Sequence, residues 1–477
     1  MARRLLTLLA ALLLALSLGQ PSASAASFAN PVKSVKGADP WIAYHDGNYY
    51  LVTTSWTDAI TIRKSPTLAG LASAPSVQVW RGDAANRCCN IWAPELHFLN
   101  GRWYLYYVAG QNVSDYIPTQ RTHVLESAGS DPMGPYTYRN QLNSAWMLDP
   151  NVATINGQLY LFGSASGGGT QNLVAARMSN PYTLATGFST ISTPTYDWER
   201  NGTVNEGPEI LQRGGRTFLV YSGSGCWTPD YKLGRLTLTG SDPLSASSWT
   251  KKSTPVFQRS DTNGVYGPGH NGFFTSPDGT ENWIVYHAND SASDGCDNGR
   301  TTRAQKFTWN SDGTPNFGTP VRLGASLAGP SGEPATASTT YTVVNRNSGK
   351  CLDVAGSSTS DGANVQQWSC GGGNNQKWRL EDLGDDTHRL VNVATGKVLD
   401  TENCSGADGA DLRQWSWLDN TCQRFRFIAT DTGHVRIVNQ ATGKVADVAN
   451  CGTADGTDVR QWTWLNNTCQ QWRLSPA

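Results

Sequence analysis

Charge is scarce in this chain. Asp, Glu, Lys and Arg make up 16 % of its 477 residues and the formal net charge is −1, so no field is present to hold nucleic acid or an anionic membrane. Long apolar runs are scarce as well. The one that stands out, Leu5 to Leu18, is too short to span a bilayer comfortably, and no second run of spanning length follows. No histidine lies at zinc-ligand spacing from any cysteine, which argues against a Cys/His zinc site. From residue 27 to about residue 324 there is no long helical periodicity. Aromatic residues, by contrast, are abundant: 18 Trp, 17 Tyr and 12 Phe. An indole offers a flat face to the C–H side of a sugar ring and still keeps an N–H donor, although β-rich cores also consume many such residues.

The N-terminus has the layout of a secretory signal. Arg3 and Arg4 precede the Leu/Ala run, and Ala23-Ser24-Ala25 supplies a small-residue cleavage site. Residues 1–25 are therefore expected to be removed, leaving a secreted, extracellular chain with no membrane segment. Ten cysteines suit that compartment. Six fall as Cys351/Cys370, Cys404/Cys422 and Cys451/Cys469, which look like three local staples. Cys88, Cys89, Cys226 and Cys296 leave two arrangements open: a vicinal Cys88–Cys89 ring that would line a pocket near Trp92, or bonds from each of the pair to Cys226 and Cys296.

Two regions differ in their internal rhythm. In the last third, Asp353, Asp400 and Asp447 recur every 47 residues, as do Trp368, Trp415 and Trp462, and Gln376, Gln423 and Gln470. Three copies of short strands, none able to bury its face alone, predict a closed threefold β unit over residues 339–476. A polar Pro/Gly/Ser/Thr-rich stretch, residues 325–338, has the composition of a linker. Over residues 27–324, aromatic strands such as Tyr49–Thr53, Trp103–Tyr107, Leu159–Phe162, Thr217–Tyr221 and Trp283–Tyr286 each follow a turn signal, at intervals of about 55 to 65 residues. Five such units predict a five-bladed β-propeller, so the fold class is all-β.

Three acids stand beside proline or Gly-Pro where such a run meets a turn: Asp39 in Asp39-Pro40-Trp41, Asp149 in Asp149-Pro150-Asn151, and Glu206 in Glu206-Gly207-Pro208. Equivalent positions of propeller blades converge on the central axis. Glycoside hydrolysis needs two carboxyl groups with opposed roles, one giving a proton and one activating water, and a third acid nearby keeps the donor's pKa high.

With Trp92-Ala93-Pro94-Glu95-Leu96-His97, Gly267-Pro268-Gly269-His270-Asn271 and Gly299-Arg300-Thr301-Thr302-Arg303 added, the region resembles family 43 of the glycoside hydrolases, the propeller arabinofuranosidases, arabinanases and β-xylosidases. The resemblance implies an inverting mechanism with Asp39 as general base, Glu206 as general acid and Asp149 tuning and orienting the acid. It makes Arg300 the residue that reaches the sugar and the tuning aspartate, with Arg303 as fallback. It makes His270 the organiser of a structural calcium or water cluster on the axis; no cofactor is required for the chemistry. Trp92 is expected to stack on substrate, and Asn172, Trp227 and Tyr231 to rim the pocket.

The C-terminal region resembles the ricin-type β-trefoil of carbohydrate-binding family 13, with Gln376-Lys377-Trp378, Gln423-Arg424-Phe425 and Gln470-Gln471-Trp472 as its signature. The resemblance assigns sugar binding to Asp353, Gln366, Trp368, Asn375 and Gln376 in the first repeat, to Asp400 and Trp415 in the second, and to Asp447 and Trp462 in the third. In the latter two, cysteine replaces the Asn and arginine replaces Gln366. The expected function is a monomeric, secreted, exo-acting α-L-arabinofuranosidase working on plant cell-wall arabinan or arabinoxylan, held there by the lectin-like module. The runners-up are β-xylosidase and endo-arabinanase and, in another class, a non-catalytic lectin.

Overall fold

The computed structural model describes residues 27–335, 338–431 and 433–477; the signal-peptide reading lies outside them. The described chain is all-β apart from short 3₁₀ turns. Four separate antiparallel sheets form a propeller-like arrangement. They open with Cys89–Leu99, Leu148–Ile155, Asn205–Arg213 and Tyr266–Thr275, and each adds its next strands in chain order. A further antiparallel path, Trp41–His45, Asn48–Val52, Ala59–Ser65 and Val77–Arg81, has the same up-and-down order but continues into the C-terminal domain. The opening strands meet in a closed ring, the last returning to Trp41–His45. The ends of this region are tied together, because Ser27–Phe28 pairs with Leu327–Ala328.

The proline-flanked motifs explain what happens inside the ring. Asp39, Ala93, Asp149, Gly207 and His270 all have left-handed backbone, with φ of 52°, 43°, 57°, 54° and 42°. In the last four of these strands the register with the second strand slips there: between Trp92 and Glu95, Leu148 and Asn151, Glu206 and Glu209, and Gly269 and Gly272. A bulge of this kind leaves a residue out of the ladder and re-aims its side chain. Proline, which has no N–H to lose, follows the first four. The glycine at 207 also fits for space: a Cβ there would sit 3.1 Å from the His270 ring.

Residues 341–476 form the expected threefold trefoil, with Trp378, Phe425 and Trp472 at equivalent positions in one buried core that also holds Leu352, Leu399 and Val448. The three local disulfides form, and Cys226–Cys296 and the vicinal Cys88–Cys89 account for the other four cysteines. The stretch with linker composition lies against the propeller: the buried Glu333 accepts the Leu68 amide at 2.9 Å.

The two domains share more than that stretch. Val77 and Gln78 pair in parallel with Phe427 and Ile428, so one ladder crosses the boundary. Beside it Arg63 is ion-paired with Asp382, Ser76 donates from Oγ to the same carboxylate at 3.2 Å, and its amide donates to His388 Nε2 at 3.0 Å. Removing one partner of a mostly buried pair strands the other charge. Asp382→Ala should therefore cost about 3–5 kcal/mol, and scanning calorimetry should show the trefoil melting apart from the propeller.

Candidate functional site

Three carboxyl groups meet at the ring's axis. Asp39 Oδ1 lies 3.2 Å from His270 Nδ1, 3.3 Å from His287 Nδ1 and 3.4 Å from Arg300 Nη1, while Thr54 Oγ1 donates to Oδ2. Thr54 Oγ1 in turn accepts the amide of Ala93, the bulge residue of the next sheet, at 2.8 Å. Asp149 Oδ2 accepts the Gly207 amide at 2.9 Å, which fixes the residue following Glu206. Glu206 takes Tyr231 O–H on Oε1 at 2.9 Å and Gln171 Nε2–H on Oε2 at 2.8 Å. Tyr231 stacks flat on His287, ring centroids 5.6 Å apart.

These surroundings drive the three acids apart in protonation. Burial works against an Asp39 charge, but the charges of His270 and Arg300 and the His287 contact outweigh it and hold its carboxyl far below the usual carboxylate range. Burial and the Asp39 charge push Asp149 up to about 8, against the pull of the Gly207 amide. Burial and the Asp149 charge lift Glu206 to about 7, against the opposing effects of His270 and Tyr231. Near neutral pH, one carboxylate is firmly ionised beside a carboxylic acid that can give its proton. Burial, with Arg300 nearby, lowers His287 to about 4, so that ring is neutral.

The sequence-predicted residues separate on inspection. Asp39, Asp149, Glu206, His270, Arg300 and Tyr231 converge. Arg300 faces Asp39 directly and reaches Asp149 only through its charge; its guanidinium lies over the Trp56 ring at 5.2 Å. Arg303 is wholly buried on Asp290. Trp92 sets its ring edge-on to Tyr116 at 5.8 Å, and Trp227 stands 58 % exposed beside the Cys226–Cys296 disulfide. Asn172 belongs to the strand Thr170–Asn180 rather than a loop, and its amide turns to the Gly167 carbonyl. It is the preceding residue, Gln171, that reaches Glu206.

Sequence reasoning also passed over His287, Trp56 and a second polar set. Two residues beyond the bulge positions Ala93, Asp149 and Gly207 stand Glu95, Asn151 and Glu209, all buried. Asn151 Nδ2 donates to Glu95 Oε2 at 3.1 Å and to Glu209 Oε2 at 2.9 Å. Burial and the Glu95 neighbour raise Glu209 well above the usual range, so this pair retains a proton. Their common spacing after proline was the available signal; Gln171 had none. Calcium takes six to eight oxygen ligands. Among the described residues no group of three or more His, Cys, Asp or Glu side chains is arranged to hold a metal. His270 Nδ1 faces the Asp39 carboxylate, and although the buried Asn271 amide lacks a protein partner, one amide is not a coordination shell. The protein donor set by itself does not fit the ion.

In the trefoil the three repeats are unequal. The first holds a cavity of about 400 Å³ lined by Asp353, Ser357, Gln366, Trp368, Asn375 and Gln376. Asp353 takes one amide proton from each of Gln366, Asn375 and Gln376, at 3.0, 2.7 and 3.0 Å, beneath a Trp368 ring that is 44 % exposed. In the second and third repeats arginine fills the corresponding space. Arg413 bonds Asp400 at 3.0 Å and Arg460 bonds Asp447 at 3.3 Å, each guanidinium lying 4.2 Å from its own Trp415 or Trp462 ring. Cys404–Cys422 and Cys451–Cys469 stand where the first repeat has Ser357 and Asn375.

Comparison with known proteins places both domains. Residues 28–315 match the glycosyl hydrolases family 43 model, and residues 331–415 and 421–477 the ricin-type beta-trefoil lectin domain-like model. An extracellular exo-alpha-(1->5)-L-arabinofuranosidase of Streptomyces avermitilis is 41 % identical over 345 residues, 68 % of this chain and 71 % of that protein. Its namesake from Streptomyces chartreusis is 38 % identical over 275 residues, 55 % of this chain and 83 % of that protein. The crystal structure of an alpha-L-arabinofuranosidase from Lactobacillus brevis superposes with a TM-score of 0.59 at 36 % identity, covering 62 % of this chain and 98 % of that one.

The ordering of the acids can be measured directly. In carboxyl ¹³C NMR, Glu206 should titrate near 7. Asp149→Asn removes the neighbouring acid that is pushed up to about 8, so two coupled carboxyl titrations near neutral pH should become one.

Proposed function

The chain belongs to glycosyl hydrolases family 43, and on that premise we propose that it is an exported, exo-acting α-L-arabinofuranosidase that inverts configuration as it frees L-arabinose from plant arabinan or arabinoxylan. The observation that carries this reading is the contrast between an ionised Asp39, gripped by His270, His287 and Arg300, and a Glu206 that keeps its proton to about pH 7. In the proposed step Asp39 takes a proton from water as the water oxygen bonds to the anomeric carbon. The bond to the leaving oxygen breaks on the other face, and Glu206 protonates that oxygen. Asp149 serves as the tuning residue: it holds the Gly207 amide, and as a buried neighbouring acid it keeps the two carboxyls from ionising together. The path opened by Trp41–His45 is read as the fifth blade of the propeller, supported by its place in the closed ring. All groups invoked come from one chain, so a monomer suffices.

The trefoil supplies attachment. Its first repeat combines an exposed indole with a carboxylate and three amides, the donors and acceptors a neutral sugar needs, whereas arginine occupies the other two sites. Trp368→Ala should lose most retention on immobilised arabinan while activity on small arabinosides persists, and Trp415→Ala and Trp462→Ala should change retention by less than about twofold, the scale of a peripheral aromatic contact.

The deciding experiment is a product time course on debranched 1,5-linked arabinan followed by proton NMR. Free L-arabinose should appear first, as the β-anomer; oligosaccharides appearing first would indicate an endo-acting cleft. Glu206→Gln should lower kcat by about 10²–10⁴-fold, the range of general acid catalysis, with polymer retention unchanged. The pH profile should fall on the alkaline side near 7 as the donor ionises. Its acid limb should lie below the ordinary aspartate range, because Asp39 stays ionised there.

A further inference from the structure

Gln171 has no part in the mechanism above, yet its amide touches the proton donor. Its Nε2 carries two hydrogens, and both are placed: one on Glu206 Oε2 at 2.8 Å, the other on Ser164 Oγ at 2.9 Å. Ser164, wholly buried, gives its own hydroxyl proton to the Asn205 carbonyl at 2.7 Å. The backbone fixes the base of the side chain, because the Gln171 amide donates to the Thr203 carbonyl at 3.1 Å and Gln171 bridges in parallel to Val204. The chain of bonds thus starts and ends within three residues of Glu206.

The direction of this chain has a chemical consequence. The two ends of an amide differ, one donating and one accepting, and the surrounding bonds decide which faces where. Once Ser164 has spent its proton on Asn205, it presents only lone pairs to Gln171. Turning the amide over would set two acceptors against each other in a buried position, an arrangement that costs the full desolvation of both. The Nε2 end therefore stays toward Glu206, and Oε2 faces a donor whatever the charge on the carboxyl. An oxygen facing a fixed donor does not hold the acid's hydrogen. The hydrogen belongs on Oε1, the oxygen shared with Tyr231, whose hydroxyl can alternate between giving and accepting.

We propose that Gln171, locked by Ser164, is a positioning residue that confines the transferable proton of Glu206 to Oε1. This rests on reading Glu206 as the donor in glycoside cleavage. Without the lock the acid is present and protonated but holds its hydrogen on either oxygen, and only one of them serves the leaving group.

Leaving groups of different basicity test this, because a weakly basic one departs with little help from an acid. Gln171→Met keeps length and removes the donor. With 1,5-arabinobiose, kcat should fall by about 10²-fold, within the range general acids contribute, with KM within about twofold; with 4-nitrophenyl α-L-arabinofuranoside the fall should stay below about fivefold. Ser164→Ala, far from substrate, should produce the same selective loss at about a tenth of the size, and it carries the test if Gln171→Met melts early. Equal losses on both substrates, a loss confined to KM, or no loss overturns the proposal. Glu206→Ala is measured beside them. If it shows the leaving-group contrast and the other two do not, the role of Gln171 alone falls. If it shows none, the donor assignment itself has failed and the proposal falls with it.

Discussion

The centre of the molecule depends on strands that abandon their ladder at the axis. A regular strand would point alternate side chains up and down the sheet and leave the axis to whatever residue happened to be nearest. A left-handed residue, followed by proline everywhere except at His270, turns one position aside instead, and around the ring this places Asp39, Asp149 and His270 in a common space, with Glu206 held beside Gly207. Left-handed backbone is costly for residues with a Cβ and persists where the surroundings over-determine it. Here they do: Asp39 and Asp149 are bonded to backbone or side chains of other sheets, and the Ala93 amide is held by Thr54.

Crowding three acids together would ordinarily leave the charge to be shared out by small differences. The histidines and Arg300 remove the ambiguity by gathering most closely on Asp39, so its negative charge becomes a fixed element of the site, and the others respond to it. The second buried set, Glu95, Asn151 and Glu209, follows the same economy with an amide between two carboxyls. Polar groups this deep are tolerated where they are partnered, as Asn151 is by both carboxyls.

Much of this was legible in the chain. Strand runs spaced by turn signals gave the all-β reading, the 47-residue repeat gave the threefold unit and its staples, and proline after an acid marked the left-handed positions Asp39 and Asp149. What was not legible depended on register and on side-chain direction. Gln171 and Asn172 are neighbours of similar chemistry, and only the pleat decides that the first meets Glu206 while the second turns back to Gly167. His287 sits near the end of an apolar strand, where a polar residue means little until its sheet is placed in the ring. The replacement of Gln366 by Arg413 and Arg460 already set two trefoil repeats apart in the sequence, but that each arginine would pair with the Asp of its own repeat depended on side-chain direction.

The ladder from Val77 and Gln78 into Phe427 and Ile428 gives the attachment module a fixed bearing. A lectin on a loose leash lets its enzyme sweep every bond within a radius. One joined by a shared sheet works more like the foot of a compass: where it grips a fibre sets the arc, and the heading, along which the pocket meets chain ends. Which ends are trimmed would then be governed by how polymers lie in the wall as much as by what the pocket accepts.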